Sequence, residues 1–151
     1  MVYYYYRQQR DKTIEYKEVS MEVKSFKKGE VIFKQGDPGD CMYDVYTGRV
    51  GVYTGYGTPE QKLLMEYFPD HYFGEMGLLE KAPRSATAVA LNSDTTLGVV
   101  TEEGFGEFFE KNPAKVLMVM QQMSHNLRRR TDDFVGVCRS IKELSEKEGV
   151  K

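Results

Sequence analysis

From Val23 to Thr101 the chain alternates short apolar and polar steps and breaks them with glycine-rich turns; beyond Thr101 the apolar spacing lengthens to three and four. A period of two places successive side chains on opposite faces of a strand, whereas steps of three and four gather them on one face of a helix. Strands are therefore predicted at Glu30–Lys34, Cys41–Tyr46, Arg49–Tyr56, Lys62–Phe68, Ala86–Leu91 and Thr95–Thr101. The intervening segments, Gln35–Asp40, Thr47-Gly48 and Gly55–Pro59, carry the residues that accept sharp backbone bends, and Asn92-Ser93-Asp94 reads as a hairpin turn. Strands at this spacing predict a small antiparallel roll or barrel.

Two helices follow. Thr101 is placed to cap Glu102–Lys111, whose acidic first turn suits the helix dipole and whose Phe105, Phe108 and Phe109 form a buried face. Asn112 is a favoured N-cap and Pro113 suits the first helical position of the last element. Along it Val116, Met120, Met123, Leu127, Arg130, Phe134, Val137, Ile141 and Leu144 recur at steps of four and three, a heptad seam with one arginine in it. A helix of about 33 residues spans about 50 Å, more than one small roll covers, so the excess asks for a partner. The run Arg128-Arg129-Arg130 on this helix reads first as a solvated face.

The 151 residues suffice for one domain with its own core, and a net charge of −2 points to neither a nucleic-acid coat nor a membrane-surface protein. Cys41 and Cys138 lie far apart and are expected to be buried or half-buried in a reducing compartment. No signal-like run opens the chain and no span of about 20 apolar residues occurs, so a cytoplasmic protein without membrane contact is expected. The only histidines, His71 at the mouth of the roll and His125 on a helix surface, cannot form a ligand set with each other, and no nucleophile–base arrangement stands out. Neither an enzyme, a metal nor a cofactor is expected.

Candidate chemistry concentrates in Phe73-Gly74-Glu75-Met76-Gly77-Leu78-Leu79 and Pro83-Arg84-Ser85-Ala86-Thr87-Ala88. Gly74 and Gly77 let backbone approach a ligand, and Met76, Leu78 and Leu79 predict a short buried helix whose first amides suit a phosphate. Arg84 adds a planar, permanently charged fork and Ser85 a hydroxyl. Glu75 would be repelled by phosphate unless it has its own task, which a ribose hydroxyl supplies. Phosphate and ribose on one small molecule mean a nucleotide.

These two runs, with Gly29–Asp37 and Tyr43–Val52, resemble the cyclic nucleotide-binding domain of catabolite activator proteins, kinase regulatory subunits and cyclic-nucleotide-gated channels. The resemblance implies a mainly β fold with α: an antiparallel, jelly-roll-like β-roll (a double-stranded β-helix) followed by a long C-terminal helix. Residues 1–22, polar and charged with a tyrosine cluster, read as an amino-terminal arm, and the resemblance implies the roll at 23–111 and a lid and dimerisation helix at 112–151. Glu75 is implied on the ribose 2′-OH and Arg84 on the cyclic phosphate, with Ser85 and the backbone of Gly74, Glu75, Met76 and Gly77 completing the cradle. Arg130 and Thr131 fall where catabolite activators place two hydroxyl residues on adenine; arginine at the first is a departure that leaves base choice open between cAMP and cGMP. Serine at position 85 occurs in bacterial cAMP receptors and favours cAMP. The implied function is a stand-alone cyclic-nucleotide sensor in signal transduction, a homodimer through its last helix, acting on a downstream protein. A helix-turn-helix would have to come after the long helix, where only Arg139–Lys151 remain, too few for it, so DNA binding by this chain alone is not expected. Two alternatives are a degenerate domain that serves protein interaction and the sensor fragment of a transcription regulator.

Overall fold

The computed structural model describes residues 22–148; the arm read at 1–22 lies outside them apart from Glu22. Eight strands, β1 (Glu22–Phe26), β2 (Val31–Phe33), β3 (Cys41–Thr47), β4 (Val50–Thr54), β5 (Lys62–Tyr67), β6 (Tyr72–Phe73), β7 (Thr87–Ala90) and β8 (Thr95–Thr101), pair antiparallel throughout. They form two four-stranded sheets, ordered β1-β8-β3-β6 and β2-β7-β4-β5. Helix α1 (Glu75–Glu80) interrupts the strands, and α2 (Glu102–Lys111) and α3 (Pro113–Glu148) follow them. This is the antiparallel roll with a long C-terminal helix that the sequence predicts.

Asn92-Ser93-Asp94 does not close a hairpin. β7 belongs to one sheet and β8 to the other, so the turn carries the chain across the roll. Among the described strands only β4 and β5 are both consecutive and paired. The other ladders join strands far apart in sequence, as β1 with β8, and local turn chemistry cannot report such pairing.

Alternation fixes which residues enter the roll. Cys41, Tyr43 and Val45 of β3 share the core with Val50, Tyr67, Phe73, Ala88, Leu97 and Val99. Their rings form a run: Tyr43 lies 5.1 Å from Phe73, and Phe73 lies 5.5 Å from Tyr67, both stacked. On the other face of β6, Tyr72 meets Phe108 of α2 edge-on at 6.4 Å. Of the three phenylalanines expected to bury α2, Phe108 is fully buried while Phe105 and Phe109 are half-buried and pack on each other at 4.7 Å. Thr101 caps α2 as expected, accepting from the Gly104 N–H at 3.2 Å.

The chain divides into two compact units between Pro113 and Ala114, and α3 is described by itself. It runs for 36 residues. The Asn112 amide turns back to close α2, its Nδ2 donating to the Phe108 carbonyl at 3.0 Å. The seam residues Val116, Met120, Met123, Leu127, Phe134, Val137, Ile141 and Leu144 are all exposed. Cys138, expected to be at least half-buried, is exposed because it lies on this helix; Cys41 is buried in the roll. Among the described residues no helix is long and apolar enough to cross a membrane.

Candidate functional site

The turn between β2 and β3 holds the segment that carries Arg84. Asp37 closes the turn on itself, its Oδ2 accepting from the Lys34 N–H at 2.7 Å. Across the gap the Arg84 N–H donates to the Asp37 carbonyl at 2.8 Å and the Gly36 N–H donates to the Arg84 carbonyl at 2.9 Å. Two residues beyond β2, the Gln35 N–H donates to the Thr87 hydroxyl at 3.0 Å. The backbone on both sides of Arg84 is therefore fixed before its side chain is considered.

Gly74 begins α1 with φ 78° and ψ 5°, a left-handed conformation that glycine adopts without steric cost, and among the described residues no side chain caps the helix. Glu75 and Leu78, three residues apart, share its buried face with Gly77. Met76 and Leu79 lie on the other face and are exposed, so the expected short helix forms but buries only one of its three long apolar side chains. A six-residue helix lying on a roll has one face to bury. At its end, Lys81 Nζ reaches Glu102 Oε1 of α2 at 2.7 Å, and this hydrogen bond raises the lysine pKa.

Arg84 is the centre of the site. Its side chain is 3% exposed. Nη1 donates to the Gly74 carbonyl at 2.8 Å and Nη2 to Cys41 Sγ at 3.3 Å. The guanidinium carbon stands 4.3 Å over the Phe33 ring and 5.8 Å from that of Tyr43. Asp40 Oδ1 is 4.0 Å from Nη2, on a side chain that is 82% exposed, so water screens the pair. Nε finds no hydrogen-bond acceptor among the described residues. Tyr43 beneath is held well above the usual phenol range, first by burial and then by its hydrogen bond to Cys41, with Arg84 opposing.

Gly74, Glu75, Gly77 and Arg84 are thus brought together, with Met76 on the outer face of α1 and Ser85 exposed beside Arg84. Arg130 and Thr131 belong to α3; Arg130 is exposed, and the Thr131 hydroxyl donates back to the Leu127 carbonyl at 3.0 Å. The surroundings of Arg84, Phe33, Cys41 and Tyr43, escape a motif reading. Their signal is indirect: Phe33 closes the strand before the Gln35–Asp40 turn, and Cys41 and Tyr43 alternate inward just after it. Among the described residues no group of three or more histidine, cysteine, aspartate or glutamate side chains could hold a metal ion.

Comparison with known proteins agrees with this geometry. Residues 23–112 match the cyclic nucleotide-binding domain family. The chain is 39% identical over 65 residues to the cAMP-dependent protein kinase regulatory subunit of Dictyostelium discoideum, covering 43% of this chain and 20% of that protein. It is 35% identical over 78 residues to the cyclic AMP receptor protein of Thermus thermophilus, covering 52% and 36%. The crystal structure of the Thermus thermophilus catabolite activator protein superposes with a TM-score of 0.67 at 27% identity, over 78% of this chain and 55% of that one. The match therefore spans about a fifth to a third of these two curated relatives. With the roll, the Gly74–Ser85 segment and more than half of the chain matched, this protein belongs to the cyclic nucleotide-binding domain family.

Proposed function

We propose that the chain is a cyclic-nucleotide sensor whose ligand is cAMP. The observation that carries this reading is Arg84: a charged side chain, almost wholly buried, with an N–H that no described protein group accepts. Leaving a buried donor unpaired costs about 1–3 kcal/mol, and more for a charged group, so the arrangement is matched to an anion supplied from outside. The left-handed Gly74 sets the start of α1 against the arginine fork, its carbonyl accepting from Arg84 Nη1 at 2.8 Å. In this reading Arg84 binds the cyclic phosphate, and Ser85 and the amides of Gly74, Glu75, Met76 and Gly77 complete the cradle. Glu75 accepts from the ribose 2′-OH.

Arg130 and Thr131 are the proposed base contacts, and the exposed seam of α3 is the proposed dimer interface. The roll at 23–111 is then the sensor and 112–151 the responding helix. Binding shifts that helix only by its difference in affinity for two helix arrangements. The names of two relatives support cAMP over cGMP: a cyclic AMP receptor protein and a cAMP-dependent kinase subunit. The chain itself is proposed to bind rather than catalyse, acting through a downstream protein.

Calorimetric titration with cAMP and with cGMP, using Arg84→Ala as control, tests the reading. Saturable cAMP binding that weakens by about 2–5 kcal/mol in the variant is expected. Absence of heat and of any thermal shift with either nucleotide would replace the sensor by an interaction module that keeps the fold.

A further inference from the structure

We propose that Phe33 is a positioning residue for Arg84: its ring face fixes the plane of the guanidinium and leaves the Nε–H as the donor presented to the anion. The inference rests on the nucleotide reading above and deepens it.

Phe33 reaches this place through an irregularity. Val31 pairs with Val89 but Phe33 pairs with Ala88, so two steps along β2 match one along β7, a bulge at Ile32. In a regular strand Ile32 and Phe33 would face opposite ways; here both pack against the core. A bulge re-aims the side chain beside it, and the ring so turned lies 4.3 Å under the guanidinium.

The other neighbours do not fix that plane. Gly74 and Cys41 each take one terminal nitrogen, which leaves the fork free to tilt about the line joining them. Asp40 stands too far off for a hydrogen bond and is largely in water. Tyr43 is farther than Phe33 and backs that ring at 5.9 Å. A flat aromatic face is the element that stops the tilt, and arginine stacks on such faces.

The test titrates cAMP and, separately, adenosine, which lacks the phosphate, into the protein and its Phe33→Leu and Phe33→Tyr variants. The Arg84 Nε–H is followed by nitrogen-15 NMR. Phe33→Leu is expected to weaken cAMP about tenfold, leave adenosine unchanged and broaden the Nε–H signal, while Phe33→Tyr stays within about twofold of the parent. Parent-like cAMP binding in Phe33→Leu, or equal loss of cAMP and adenosine, would overturn the inference. If Phe33→Leu does not fold, Phe33→Met carries the same comparison. A parent that binds no cAMP would overturn the nucleotide reading itself, and this inference with it, without reference to any variant.

Discussion

Gly39 and Gly77 meet backbone to backbone: a Cβ on Gly39 would stand 2.5 Å from the Gly77 Cα and 2.4 Å from the Ala82 carbonyl oxygen. The atoms in the way are main chain, which cannot swing aside like the end of a flexible side chain. Gly39→Ala must therefore push the β2–β3 turn off the Arg84 segment and strain the two hydrogen bonds between them. Overpacking of this kind is expected to cost about 1–3 kcal/mol and to weaken cAMP binding together with it. Thermal unfolding checks the first effect and calorimetry the second. Gly106 supplies the contrast: it lies in α2, and among the described residues nothing outside its own stretch of helix comes within 4 Å of where its Cβ would stand. Gly106→Ala is expected to gain about 0.5–1 kcal/mol. If Gly39→Ala melts with the parent, the close crossing does not hold the site.

Gly74 couples backbone to ligand more directly. Its φ of +78° disfavours any L side chain, and a Cβ there would come within 2.7 Å of Arg84 Nη1. That nitrogen donates to the carbonyl of Gly74 itself. Gly74→Ala is thus expected to strain the backbone by about 1–2 kcal/mol and to displace the fork as well. The outcome to look for is a folded protein whose cAMP affinity falls about as far as that of Arg84→Ala. Loss of stability with full retention of binding would separate Gly74 from the arginine's pose.

What could be read from the chain was whatever is written locally. The acidic first turn after Thr101, the phenylalanine spacing behind it and the glycine pair around Glu75 each specify their own neighbourhood, and the structure places α2 and α1 there. The fold family was legible for the same reason, because its motif is contiguous. Strand partners were not. β6 is two residues long and exists through its pairing with Tyr43 and Asp44, about 30 residues earlier, so no period announces it. The assignment of Asn92–Asp94 to a hairpin failed because the turn looks alike whether the next strand pairs back or crosses to the other sheet. Phe33 was hidden by the bulge, which breaks the alternation that would have revealed its direction.

The junction between β8 and α2 offers a test of the roll's end without touching the ligand. Thr101 finishes the strand and its hydroxyl accepts from the Gly104 N–H. Thr101→Ala is expected to cost about 1 kcal/mol, with Thr101→Ser recovering most of it. Urea unfolding measures both. An unchanged midpoint in Thr101→Ala would mean that the Lys81–Glu102 pair or the Phe108–Tyr72 contact suffices to dock the helix start.

The seam of α3 sets two demands on one residue. Leu127, Phe134 and Ile141 are each at least 60% exposed and recur every seventh position, the spacing that the proposed dimer would bury against a second copy of the helix. Phe134→Asp is expected to turn a dimer into a monomer in sedimentation; a parent already monomeric would remove the seam from the proposal. Arg130 sits in the same register, between Leu127 and Phe134. A charge at a seam position weakens a two-stranded coil, whereas a charge over a purine can stack or donate to it. Arg130→Leu should therefore tighten self-association and loosen cAMP if the residue serves both ends. Tighter association with unchanged cAMP affinity would leave Arg130 a seam residue alone, and the base contact would fall to Thr131.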